Sequence, residues 1–457
     1  MSRQTDSKPF LIGCGAGFSG DRVDAPGPVV QHLAGTGYPS VLMLETLGER
    51  TLALAQKARM ADPGLGYEPL LDQIVGPVLD TCLASGIPIV GNFGAANPDG
   101  AAERIFELAK AAGLRRPRIA VVTGDDLRDR LADLTLSPWE GDASDDLLIE
   151  QVVAANAYLG ALPIADALSA GADIVVTGRV ADPALALGPL INHFDWSPTD
   201  WDRLAAGTMA GHLLECGAQI TGGYFADPGM KDVPAMDRIG FPIAEVTREA
   251  DVTITKASGT GGVVDQRTAK EQLLYEVHDP AAYITPDVVA DLTEAELADR
   301  GPDRVGLSGI KGHPATEQLK VTVSLTGGWL GEGEISYAGP NAEARARLAA
   351  DTLIARLNGR GLDVRRRVDL IGVASILDDD RATLRSAMAP GAEDVRVRLA
   401  VEGPDRAAVE AATQEVLALL CCGPAGGGGA RRNHVSRINT RSYLVPKAEV
   451  TPEVRFA

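Results

Sequence analysis

Glu45 comes directly after four apolar residues, Val41-Leu42-Met43-Leu44. A carboxyl at the end of a buried strand is partly desolvated, which raises its pKa and suits it to general acid–base work. The competing role is a charge at the N-terminus of a helix over Thr46–Met60. A second apolar run, Ile174-Val175-Val176, ends in Thr177-Gly178-Arg179-Val180-Ala181-Asp182-Pro183. An arginine fork at a strand end is suited to anchoring a carboxylate or phosphate. Asp182-Pro183 reads as a helix N-cap followed by proline at the first helical position. Asn92 follows Ile87-Pro88-Ile89-Val90-Gly91 and can give its amide either to a substrate oxygen or to its own loop. Arg22 and Asp24 sit in the first loop, where they either face the same crevice or form a structural ion pair.

Gly15-x-Gly17-x-x-Gly20 follows the run Phe10-Leu11-Ile12 and has the spacing of a dinucleotide fingerprint, with Glu45 at the distance of a ribose partner. Pro26 and Pro28 interrupt the helix that would receive a pyrophosphate. The loop is therefore read as a nest of backbone amides for an anion, with Gly15, Gly17, Ser19 and Gly20 as binding positions, or as a turn that needs positive φ. His212 and Glu215 are three apart on an expected helix over Met209–Cys216, so they share a face as metal ligands can. No second pair completes a site, and no metal is expected. Gly-x-Ser-x-Gly does not occur, which argues against an α/β hydrolase. Gly423-Pro424-Ala425-Gly426-Gly427-Gly428-Gly429 precedes Arg431-Arg432 and suits a CoA or nucleotide phosphate, a connector or a subunit surface.

The elements that must hold these residues alternate. Five short apolar runs in the first 180 or so residues fit strands covered on both faces of a parallel sheet, and ligands of such sheets sit beyond the strands' carboxyl ends. Helices are predicted over Leu70–Ala84 and Gly100–Ala112, with a longer helical region over Ser144–Ala170. This gives an α/β fold with a parallel-sheet layer sandwich over residues 1–228. After the turn-rich stretch Asp227–Arg238 the pattern changes, and an α+β domain of split β-α-β character is predicted over 229–457. Its elements are a strand over Asp251–Thr255, a strand from Gln318 to Leu325 turning at Gly327-Gly328 into another that ends near Tyr337, and a helix over Ala342–Leu357. Strands over Val368–Ile376 and Val395–Val401 and a helix over Arg406–Leu420 follow.

The chain has 457 residues, 45% hydrophobic and 23% charged, which fits two or three domains of ordinary globular composition. No run approaches the roughly 18 apolar residues of a membrane helix, and the first nine residues lack a signal segment, so the expected location is the cytoplasm. A net charge of −19 opposes binding to nucleic acid. The five cysteines, none in a CxxC pair, suggest neither disulfides nor a zinc knuckle.

The segments Leu11–Arg22, Gly91–Pro98, Gly178–Pro183 and Gly423–Gly429 together resemble the acyclic terpene utilisation protein A family, and the resemblance spans nearly the whole chain. It implies a place in bacterial degradation of citronellol and geraniol, beside acyl-CoA carboxylases and dehydrogenases. Longer members carry an extra C-terminal ferredoxin-like domain. The resemblance implies that in this chain that domain is dispensable or is supplied by a separate small protein.

These readings converge on an enzyme of lyase or hydratase type acting on a small carboxylate or acyl-CoA. Arg179 and the Gly13–Gly20 amides would hold the anion, with Arg22, Gly178 and Asp182 beside them. Glu45 would move the proton, and Asp24 or Asn92 would orient water or a substrate oxygen. No cofactor is expected beyond the CoA moiety of a substrate, and a homo-oligomer is expected. Two rival readings are a non-catalytic subunit binding an acyl-CoA or a partner enzyme, and an NAD(P)-dependent oxidoreductase.

Overall fold

The computed structural model describes residues 8–139 and 149–457. The N-terminal residues read for a targeting signal, and Ser144–Leu148 of the expected helical region, lie outside that range.

The five apolar runs form β1 (Phe10–Ala16), β2 (Ser40–Leu44), β3 (Ile89–Gly91), β4 (Ile119–Thr123) and, after β5 (Val152–Ala157), β6 (Ile174–Thr177). They pair in parallel in the spatial order β1-β2-β3-β6-β4. Nearly every residue of these strands is buried, as continuous apolar runs require when helices cover both faces. Among those helices are α1 (Pro26–Thr36), α2 (Glu49–Ala61), α3 (Leu71–Ser85), α4 (Pro98–Ala111), α5 (Leu162–Ser169), α6 (Ala184–Phe194) and α7 (Trp201–Glu215). Gly13 lets α1 press on β1: a Cβ there would lie 2.4 Å from Val29 Cγ1.

The sheet does not end with the parallel strands. β7 (Pro242–Val246) pairs antiparallel with β1. β8 (Val252–Lys256), β9 (Glu296–Asp299) and β10 (Val305–Ser308) extend that edge, with β10 between β8 and β9. At the other edge the C-terminal strand Glu453–Phe456 pairs with β4, giving ten strands of mixed direction. The stretch Asp227–Arg238 therefore leads into a strand of the same sheet as β1. By contact density the chain divides into residues 1–324 with 440–457, and residues 325–439.

The second unit has the strand–helix–strand–strand–helix–strand order of a split β-α-β fold. It takes up β11 (Gln318–Ala338) from Leu325, then α8 (Ala342–Arg360), β12 (Arg365–Ile371), β13 (Asp394–Gly403), α9 (Arg406–Cys422) and β14 (Gly428–Pro446) as far as Asn439. The strand order is β12-β13-β11-β14. Val395, Val397, Leu399 and Val401 alternate along β13 and pack with Ala346, Ala349 and Leu353 of α8 and Val409 and Val416 of α9.

Two expectations need correction. Val152–Ala157 is a strand within the region expected to be helical; Tyr158, just past it, donates its N–H to the Lys320 carbonyl at 2.9 Å. Gly327-Gly328 makes no hairpin: β11 runs through for 21 residues, and Gly328 takes φ +77° within it. The glycine run that ends at Gly429 opens β14, where a Cβ on Gly427 would meet Ile335 and Tyr337 at 2.9 and 3.1 Å.

Candidate functional site

At the carboxyl ends of the parallel strands lies a cleft of about 560 Å³, built wholly from the first unit. Gly17, Phe18 and Asp21 come from the loop after β1, Glu45 and Glu49 from that after β2, and Arg179 and Asp182 from that after β6. The lining is completed by Glu215 and Cys216 at the end of α7, by Tyr275 and Glu276, and by Tyr158 with Lys320.

Glu45 is buried, 7% exposed. Its Oε1 accepts from Leu47 N–H (2.8 Å) and from Asn92 Nδ2 (2.9 Å). With Oε1 doubly bonded, the proton of the neutral acid belongs on Oε2. Desolvation, reinforced by the Asp182 carboxylate, pushes its pKa up to about 8, against the opposing pull of Asn92, Leu47 N–H and Arg179. Asn92 is fully buried behind Glu45 and is committed to it and to Thr46 N–H.

Arg179 is 3% exposed and its fork is largely used inside the protein. Nη1 donates to the Leu47 carbonyl, Nη2 is 3.2 Å from Asp182 Oδ1 without hydrogen-bond geometry, and Nε is buried without a partner. The guanidinium lies 4.0 Å from the centre of the Tyr158 ring, a cation–π contact. Burial disfavours its charge, yet Asp182, Tyr158, Glu49 and Glu45 outweigh that and keep it cationic. The Arg179 N–H donates to Asp125 Oδ2 (2.8 Å), which also accepts from Asn156 Nδ2 (2.8 Å). Gly178 is required there, because its Cβ would fall 2.6 Å from both Asp125 carboxylate oxygens.

Asp182 does not cap α6: the N-cap position is Pro183, and no side chain caps that end. Its carboxyl faces the cleft, where desolvation and the charges of Glu215, Glu49 and Glu276 raise its pKa to about 7 despite Arg179. Glu49 is the opposite case. Burial pushes it up, but Arg179, the Tyr158 hydroxyl that donates to it and Lys320 (3.3 Å) pull it down to about 2. The cleft thus holds carboxyls with well-separated proton affinities, the arrangement that divides acid from base.

His212 and Glu215 pair within α7, Nδ1 to Oε1 at 2.9 Å, and both are buried. Burial opposes charge on the imidazole, but Glu215 outweighs it and raises the pKa. Glu215 Oε2 is buried without a hydrogen-bond partner, and the residue is part of the cleft lining. Among the described residues no group of three or more His, Cys, Asp or Glu is placed to hold a metal ion. Burial also holds the Cys216 thiol well above its usual range, which makes it a poor nucleophile.

The glycine loop is occupied by its own chain. Asp21 accepts from Gly17 N–H (2.8 Å) and Arg22 N–H (2.7 Å), filling the place of an external anion. Gly15 is packed on Leu44 and Gly17 on the backbone of Cys216-Gly217, where a Cβ would sit 2.8 and 2.4 Å away; Gly20 has φ +93°. Ser19 and Gly20 do not line the cleft. Arg22 and Asp24 form a two-pronged ion pair (3.1 and 2.9 Å) at the surface, away from the cleft lining. Of the residues singled out in the sequence, Glu45, Arg179, Asp182, Gly17 and Glu215 come together in the cleft, with Asn92 and Gly178 supporting them. Glu49, Tyr158, Lys320 and Glu276 complete it without any motif to mark them.

No helix among the described residues is long and apolar enough to cross a membrane. A solved homoserine dehydrogenase from Thiobacillus denitrificans is 12% identical over 93% of this chain and 99% of its own, with a TM-score of 0.15, below the level at which folds are alike. No curated protein sequence matches. The family model described as "Acyclic terpene utilisation family protein AtuA" matches residues 10–456. The chain therefore belongs to the AtuA family, whose role is catabolic, the utilisation of acyclic terpenes.

Proposed function

We propose that the chain is an acid–base enzyme of lyase or hydratase type that acts on the acyl group of a thioester such as an acyl-CoA. The observation that carries this reading is Glu45, a buried carboxyl in a cleft, fixed by two donors on one oxygen and holding its proton at neutral pH. Asp182, near 7, is suited to exchange a proton with substrate or water, and Glu49 stays ionised beside it. In a hydration, a carboxylate takes a proton from water, the oxygen bonds to the β-carbon, and Glu45 supplies the proton to the α-carbon. Elimination of water is the reverse. Asn92 is a positioning residue that acts through Glu45.

A thioester is favoured over a free carboxylate by charge. Besides the protonated Glu45, the carboxyl groups of Asp21, Glu49, Asp182, Glu215 and Glu276 line the cleft against only two cations, Arg179 and Lys320, and the Arg179 fork is already engaged. A neutral acyl group enters such a cleft at lower electrostatic cost than an anion.

The test is turnover of a series of 2-enoyl-CoA thioesters, followed by loss of the conjugated absorbance. Wild type should hydrate at least one member, and Glu45→Gln should lower kcat by about 10²–10⁴-fold with KM within a few-fold. A wild type inert towards the whole series, or a fully active Glu45→Gln enzyme, overturns the proposal.

A further inference from the structure

Beside the acidic cleft lies a second cavity of about 300 Å³, also within the first unit. The two share Tyr158, Asp182 and Lys320 as a common wall. Beyond that wall the lining changes character: Pro183, Tyr283, Ile284, Pro286, Leu319 and Leu444 turn towards the space. Every charged residue of this cavity is one it shares with the cleft, so charge stops at Asp182 and Lys320; the remaining polar lining is the uncharged Thr285, Thr316 and Gln318. Ile284 keeps 50% of its surface exposed, apolar area that the fold itself does not cover.

The geometry points to a two-part site in which the second cavity takes the hydrocarbon chain of the acyl substrate while its reacting end lies against Glu45 and Asp182. This rests on the reading of the cleft as an acyl-thioester site and adds the substrate class: acyl groups with an extended apolar tail. An apolar concavity that adjoins a group of convergent polar residues is the usual form of a site for an amphiphilic ligand. Discrimination would come from the tail, because each methylene moved from water into the cavity adds about a three- to fourfold gain in affinity.

The experiment uses the full chain and inert alkyl-CoA thioethers of increasing chain length, with binding measured by calorimetry. Wild type should bind more tightly with each added methylene until the cavity is filled. Ile284→Trp, which fills the space, and Ile284→Asp, which places a charge in it, should flatten that dependence and leave the shortest thioether bound within about twofold. Half the surface of Ile284 faces outward, so neither change removes a core residue. Affinity that does not change with chain length in wild type, a slope retained in both variants, or no binding of any member overturns the inference. A clear slope in wild type without turnover of any 2-enoyl thioester supports the tail site and removes only the catalytic assignment.

Discussion

Asn92 and Glu45 join two neighbouring strand ends: Asn92 Nδ2 donates to Glu45 Oε1 at 2.9 Å, while Asn92 Oδ1 accepts from Thr46 N–H at 2.7 Å. The backbone donor fixes which end of the amide faces Glu45, so Asn92 holds the acid in one orientation. Asn92→Ala leaves a buried N–H unpaired and should lower unfolding free energy by about 1–3 kcal/mol in urea denaturation. The same bond favours the charged form of Glu45, so its loss should move the Glu45 titration further above about 8. Unchanged stability together with an unchanged pH profile would show the pair to be without effect.

Glu45 also predicts how stability varies with pH. Its carboxyl moves from an ordinary value of 4.5 to about 8 on folding. The folded chain therefore holds a proton that the unfolded chain releases across that interval. The associated stability is complete below about 4.5 and is lost as pH rises through about 8. Glu45→Gln is neutral at every pH, so its melting temperature should gain on that of wild type as pH is raised across this window. A constant difference between the two proteins would contradict the buried, protonated state.

Gly178 supplies a third prediction, from space alone. Gly178→Ala places a methyl group 2.6 Å from the Asp125 carboxylate, which is held by Arg179 N–H and Asn156. Overpacking of this kind costs roughly 1–3 kcal/mol. Combining it with Asp125→Ala should be less damaging than the sum of the single changes, a coupling readable from a double-mutant cycle. Strict additivity would show that the methyl group meets no resistance from Asp125.

The parallel core was readable because each of its strands is an uninterrupted apolar run that stops at a polar or small residue, as Leu44 does before Glu45 and Val176 before Thr177. Hydrophobic continuity is a local signal, and so is the period-two alternation of Val395–Val401. The antiparallel edge was hidden because β7 joins β1 across more than 200 residues of chain. The wall of the cleft was hidden for the same reason. Tyr158, Lys320 and Glu276 are ordinary residues in their own segments and gain meaning only where the fold gathers them. The glycine loop misled through its spacing: Gly13, Gly15 and Gly17 answer to helix, side-chain and backbone neighbours, and Asp21 takes the amide that a cofactor phosphate would need. His212 and Glu215 were visible as a pair, but nothing in their spacing told that burial would enclose both.

The internal carboxylate at Gly17 has one more consequence. Because Asp21 already satisfies the amides of Gly17 and Arg22, the first loop needs no visitor to hold its shape. A rim formed before its guest arrives gives up little conformational freedom on occupancy, so more of the contact energy survives as affinity.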